Sequence, residues 1–127
     1  MSRRTVQVGE LLRDELIDII RREVKDPRVG FYSITGVEVT PDLRQARVFI
    51  SVLGSEEERT RTLSALRSAS GFIRHHLRPR LRMRQLPELD FRDDRSLEHA
   101  EEIARALRTI EIADSKPSVR SSGEKPT

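Results

Sequence analysis

The chain has 127 residues, 35% of them hydrophobic and 35% charged, with 24 Lys+Arg against 21 Asp+Glu and no cysteine. This length suits one domain. The missing cysteines exclude disulfides and thiolate zinc sites, and no run approaches the ~20 apolar residues that cross a bilayer.

The start, Met1-Ser2-Arg3-Arg4-Thr5, leads into an amphipathic pattern rather than a continuous apolar run, so no signal peptide is expected. A soluble, cytoplasmic protein is expected. Val8, Leu11, Leu12, Leu16, Ile19, Ile20 and Val24 recur at three- and four-residue spacing, which predicts a helix over about residues 5–25. Asp26-Pro27 stops it, because the residue before proline is pushed out of the helical region. Arg21, Arg22 and Lys25 suit the negative end of its dipole.

Ile34 to Thr40 is rich in β-branched residues and predicts a strand, with Val37 and Val39 on one face. Pro41-Asp42 supplies a turn. Ala46, Val48, Ile50 and Val52 then alternate with Arg47, Phe49, Ser51 and Leu53, a two-residue period. The short link predicts an antiparallel hairpin with helices over one face. Ser55 and Glu58 fit a capping box at the start of the next helix, whose apolar stripe holds Leu63, Leu66 and Ala65 or Ala69.

After Ala69-Ser70-Gly71 the helical pattern restarts with Phe72, Ile73, Leu77 and Leu81, until Pro79 limits it. Leu86 to Phe91 predicts a third strand, with Leu89 and Phe91 inward. Asp93, Asp94 or Ser96 can cap a last helix carrying Leu97, Ala100, Ile103, Ala104 and Leu107. The four phenylalanines, Phe31, Phe49, Phe72 and Phe91, are expected to help form the core. Few aromatics then remain as stacking platforms for bases. The organisation expected is a domain over 1–112 and a disordered tail over 113–127.

Charge is placed unevenly along this order. From Arg59 to Arg84 there are eight arginines (Arg59, Arg61, Arg67, Arg74, Arg78, Arg80, Arg82, Arg84) and not one Asp or Glu. A solvated helix face usually interleaves Glu with Arg, so an acid-free run points to a polyanion, RNA above all. A genome rich in G and C would also favour arginine, so the weight rests on placement and not on abundance. Ala69-Ser70-Gly71 is at once an ordinary helix end and a spot where small side chains let a phosphodiester strand approach the main chain.

Other constellations carry less. His75 and His76 point about 100° apart on a helix and cannot easily share a metal. Asp90, Asp93 and Asp94 read better as strand-end and capping residues than as a nuclease centre. No nucleophile, Walker or dinucleotide motif is present.

The element order α-β-β-α-kink-α-β with an additional C-terminal helix is an α+β, type II KH-like arrangement: a three-stranded sheet with helices on one face. The GxxG loop of ordinary KH domains is missing. The chain resembles the ribosome-binding factor A family over roughly Arg4 to Ile110. The likeness lies in the helix from Val8 to Leu16 with Val24-Lys25-Asp26-Pro27-Arg28-Val29. It continues in Ile34-Thr35-Gly36-Val37-Glu38-Val39-Thr40-Pro41-Asp42-Leu43 and Ala46 to Gly54. Ala69-Ser70-Gly71-Phe72-Ile73-Arg74, Leu77 and Pro87-Glu88-Leu89-Asp90-Phe91 complete it. In that family an alanine-x-glycine kink replaces GxxG.

The resemblance implies a non-enzymatic factor that binds small-subunit ribosomal RNA. It further implies a role in late maturation of the small ribosomal subunit, including processing of the rRNA 5′ end, and in cold adaptation. The expected partners are the small ribosomal subunit and its rRNA. A monomer is expected, with no cofactor, no metal, no small-molecule substrate and no membrane. Arg67, Arg74, Arg78, Arg80, Arg82 and Arg84 are expected to meet phosphate, while Ala69, Ser70 and Gly71 set main-chain approach. Arg3, Arg4, Arg22 and Lys25 are secondary candidates. Two alternatives stay open: a basic module that docks an acidic protein surface, and a small metal-dependent nuclease.

Overall fold

The computed structural model describes residues 2–115. The first helix, α1, runs Arg3–Glu23, two residues ahead of the expected range at each end: Ser2 caps its start by accepting the Thr5 amide, and the backbone is already extended at Val24. Leu12, Leu16, Ile19 and Ile20 form its buried stripe. Strands β1 (Phe31–Val39) and β2 (Gln45–Leu53) pair antiparallel, with an irregularity between Ile34 and Gly36. The hairpin turn places Leu43 at φ 62°, a left-handed conformation uncommon outside glycine and asparagine. Beyond it, α2 (Glu56–Ser68) and α3 (Ser70–Leu77) lead through a 3-10 turn (Arg78–Arg80) to β3 (Glu88–Asp93).

Strand β3 pairs parallel with β2, giving the order β1-β2-β3. A parallel pair needs a long crossover, and α2 with α3 supplies it. The core lies between the sheet and α1, α2 and α3: Ile34, Val39, Val48, Ile50, Val52 and Phe91 cluster with Leu12, Leu16, Leu63, Leu66, Ile73 and Leu77. Burying each large side chain of this kind contributes about 1.5–3 kcal/mol. Gly9 lets α1 sit against β1, for a Cβ there would lie 2.6 Å from the Val37 carbonyl oxygen.

The capping box forms as expected: Ser55 Oγ accepts the Glu58 amide at 3.2 Å, and Glu58 accepts the Ser55 amide at 2.8 Å. Those bonds hold the Glu58 carboxyl below its usual pKa.

The phenylalanines need correction. Phe91 is buried and Phe49 half-buried, but Phe31 is 80% exposed and Phe72 46% exposed. Phe31 opens β1 opposite Leu53, itself 78% exposed, at one end of the sheet. Phe72 precedes the buried Ile73 and so points about 100° away from the Ile73–Leu77 stripe.

The described residues divide into two units between Asp94 and Arg95. The division falls inside the single domain expected over 1–112. α4 (Ser96–Ser115) belongs to the second unit and carries exposed Ile103, Leu107 and Ile110. Residues 113–115 are helical there, and the rest of the expected tail lies outside the described residues. Asp93 sits in β3 and pairs with Arg59, while Asp94 accepts the Thr35 hydroxyl. Among the described residues, no helix is long and apolar enough to cross a membrane.

Candidate nucleic-acid interface

The bend between α2 and α3 is one residue wide. Ala69 lies in the bridge region at φ −88°, ψ 2°. Its amide still reaches the Ala65 carbonyl at 3.0 Å, and its carbonyl accepts the Ile73 amide at 2.8 Å. Ser70 is half-buried and opens α3, and Gly71 follows it, exposed. A Cβ built at Gly71 would meet no atom within 4 Å. Nothing in the fold therefore requires glycine there. In a helix it costs about 0.8–1.0 kcal/mol relative to alanine. That conformational cost is intelligible if another molecule needs the space.

The eight arginines of the segment are put to three different uses: ion pairs, backbone clamps and open charge. Arg59 is 5% exposed and pairs with Asp93 at 3.4 Å, so it faces β3 and not solvent. Arg67 donates from Nε at 3.2 Å and Nη2 at 2.9 Å to the Phe91 carbonyl. Arg74 donates from Nε to the Pro87 carbonyl at 3.1 Å and from Nη2 to the Leu86 carbonyl at 3.0 Å. These two guanidinium groups flank the bend and tie both of its helices to the β3 strand and its lead-in. Their acceptors are neutral, so their charge survives, but the contacts fix where it points.

Arg80 is held by carboxylates. Its Nη1 donates to Glu15 at 3.1 Å and to Asp18 at 2.7 Å. Arg22 and Arg21 also reach Asp18, at 2.8 and 3.3 Å. A stretch free of acids in sequence therefore meets acids in space: Glu15 and Asp18 from α1 at Arg80, and Asp93 from β3 at Arg59. Arg80 and Arg22, expected as phosphate ligands, share two carboxylates with Arg21, so three guanidinium groups leave one net positive charge at that place.

Arg61, Arg78, Arg82 and Arg84 make no hydrogen bond or ion pair among the described residues, and all four are exposed. Leu81 is buried and Met83 packs on the core, so the extended chain turns Arg82 and Arg84 outward by alternation. Arg3, Arg4 and Lys25 are likewise exposed and uncommitted. No group of three metal-ligating side chains is present among the described residues.

The Asp18 cluster has a pH signature. Asp18 is lowered from 3.8 to about 2, first by the Arg80 hydrogen bond and then by those from Arg21 and Arg22. A carboxyl more acidic when folded stabilises fully above its unfolded pKa and loses that contribution as pH falls through its folded value. The tie between α1 and the 3-10 turn should thus weaken from about pH 4 down to about 2. In urea titrations across that window, Asp18→Asn should flatten the pH dependence. An unchanged profile would mean that the cluster contributes nothing.

An α+β domain of the KH-like type, with a bend where a GxxG loop would stand, is the class that this fold and surface define. The model of the family described as ribosome-binding factor A matches residues 4–107, and the chain belongs to that family. It is 54% identical over 110 residues to the ribosome-binding factor A of Thermomicrobium roseum, covering 87% of this chain and 85% of that protein. Identity to the Desulforamulus reducens ribosome-binding factor A is 46% over 117 residues, covering 92% and 98%. Among solved structures, the crystal structure of ribosome-binding factor A from Thermus thermophilus matches at 27% identity and TM-score 0.63, covering 70% of this chain and 93% of that one. A Thermus thermophilus homology model fitted into the cryo-EM map of a 30S-RbfA complex matches at 27% identity and TM-score 0.60, covering 72% and 96%.

Residue spacing alone does not reveal the roles of Arg59, Arg67, Arg74 and Arg80, whose partners lie up to 65 positions away. Phe72 was within reach: the phase of Ile73 and Leu77 already puts it off the buried face.

Proposed function

We propose that this protein binds small-subunit ribosomal RNA on an immature small ribosomal subunit and supports late maturation, including processing of the rRNA 5′ end. It works by binding and not by turnover, as a cytoplasmic monomer without cofactor, and its role matters most in the cold. The observation that carries the reading is an exposed, sterically free Gly71 at a one-residue bend, followed by uncommitted Arg78, Arg82 and Arg84. Family membership and the likeness to a factor placed in a 30S complex support the choice of partner. Arg67 and Arg74 position the bend, while Ala69, Ser70 and Gly71 admit the strand. Arg80 and Arg22 act through α1. Arg3, Arg4 and Lys25 add attraction at longer range.

The test is co-sedimentation with small-subunit particles, followed by crosslinking and mapping of the RNA sites. Crosslinks should fall on 16S-type rRNA and come from residues 69–84, and association should decline steeply with salt. Association that survives ribonuclease digestion of the particles would instead favour docking to an acidic protein.

A further inference from the structure

Phe72 is a large aromatic that the fold leaves 46% exposed beside the bend. A lone exposed apolar residue needs no explanation. This one differs in its setting. It stands next to the open Gly71, in a segment without acids, and four residues before His76, whose ring it meets edge-on at a centroid distance of 4.6 Å. The two rings are inclined at 63°, and with this contact made Phe72 is still 46% exposed. Ile73 and Leu77 take the opposite side of α3 into the core, and Arg74 is drawn to the Leu86 and Pro87 carbonyls. α3 is therefore sorted by angle: an apolar anchor, a cationic clamp, and an outward sector made of Gly71, Phe72 and His75, with His76 half-buried at its edge.

Resting on the RNA-binding reading above, we propose that Phe72 is a stacking platform for one unpaired base, so that the bend recognises single-stranded RNA and not duplex. The chemistry follows from what a strand presents. Where the sugar-phosphate chain passes over Gly71, the attached base needs a flat apolar surface within one nucleotide's reach. Every base has such a face of its own, and stacking on an aromatic is therefore tolerant of sequence. A base held in a duplex cannot reach the ring without being splayed out. The other exposed aromatic, Phe31, lies at the end of a sheet surface where Arg47 and Arg92 are paired with Glu38 and Asp90 and Glu88 adds a further acid, so that face has no surplus of positive charge to draw a phosphate strand.

The chain contains no tryptophan, so Phe72→Trp introduces a single reporter at the proposed contact. The probe is a mixed-sequence single-stranded RNA of about twelve nucleotides, within the site sizes of single-strand binders, compared with the same RNA annealed to its complement. Indole emission should be quenched by the single strand and much less by the duplex. Phe72→Leu keeps an apolar side chain and should weaken single-strand binding by about 5- to 150-fold. The slope of log K against log salt should stay as in the wild type, because no charge is removed. An unchanged melting curve for Phe72→Leu separates this from loss of fold. Emission indifferent to saturating RNA, or wild-type affinity in Phe72→Leu, would overturn the stacking inference alone. A wild type that binds neither RNA would overturn it together with the function on which it rests.

Discussion

Reversing Arg78, Arg82 and Arg84 to glutamate together is expected to abolish association with small-subunit particles while leaving the fold intact. None of the three has a partner among the described residues, so no internal contact is lost. Each phosphate contact removed should lower the salt slope by about 0.7 for a single strand, about 2 for all three. With repulsion added, affinity should fall on the order of 100-fold or more. Arg80 is the wrong residue to include. Arg80→Glu would set a third carboxylate against Glu15 and Asp18, so binding and folding would fail together. Filter binding across a salt series, beside thermal melts, decides it. Full co-sedimentation by the triple variant would sink the interface assigned here.

A pair of glycine substitutions should move in opposite directions. Gly9→Val should destabilise by roughly 3 kcal/mol, a sizeable share of a small domain's 5–15. The reason is the Val37 carbonyl oxygen, 2.6 Å from where a Cβ would go. Backbone cannot swing aside as a side chain can. Gly71→Ala meets nothing within 4 Å, so it should stabilise the free protein by about 0.5–1 kcal/mol through helix propensity. It should nevertheless weaken RNA binding, since the methyl group occupies the approach. Urea unfolding reads the first effect and RNA titration the second. If Gly71→Ala left affinity unchanged, the space above that residue would have no function.

Local chemistry made most of the elements legible. The Ser55–Glu58 box and the alternation of Ala46 to Val52 are each decided by neighbours in sequence, whereas α1 ends at Glu23, ahead of the stop expected at Asp26-Pro27. Less legible was anything decided by neighbours in space. An arginine's sequence context says that it is cationic. It does not say whether Asp18, or a strand carbonyl, stands opposite. That is why the run from Arg59 to Arg84 looked uniform and proved to be four open cations, two backbone clamps and two ion-paired groups. The aromatics failed for a related reason. Counting phenylalanines as core ignored helical phase at Phe72 and strand-end position at Phe31, both geometric matters.

Arg67 and Arg74 grip the main chain around β3 from either side of the bend. A joint braced on both flanks resists flexing, so the protein brings a mould that is already set. On the RNA-binding proposal, ordering on association then falls to the nucleic acid. The encounter rate should track how often a partner exposes an unfolded stretch of the right length, and warming that frays the RNA should speed capture without any change in the protein.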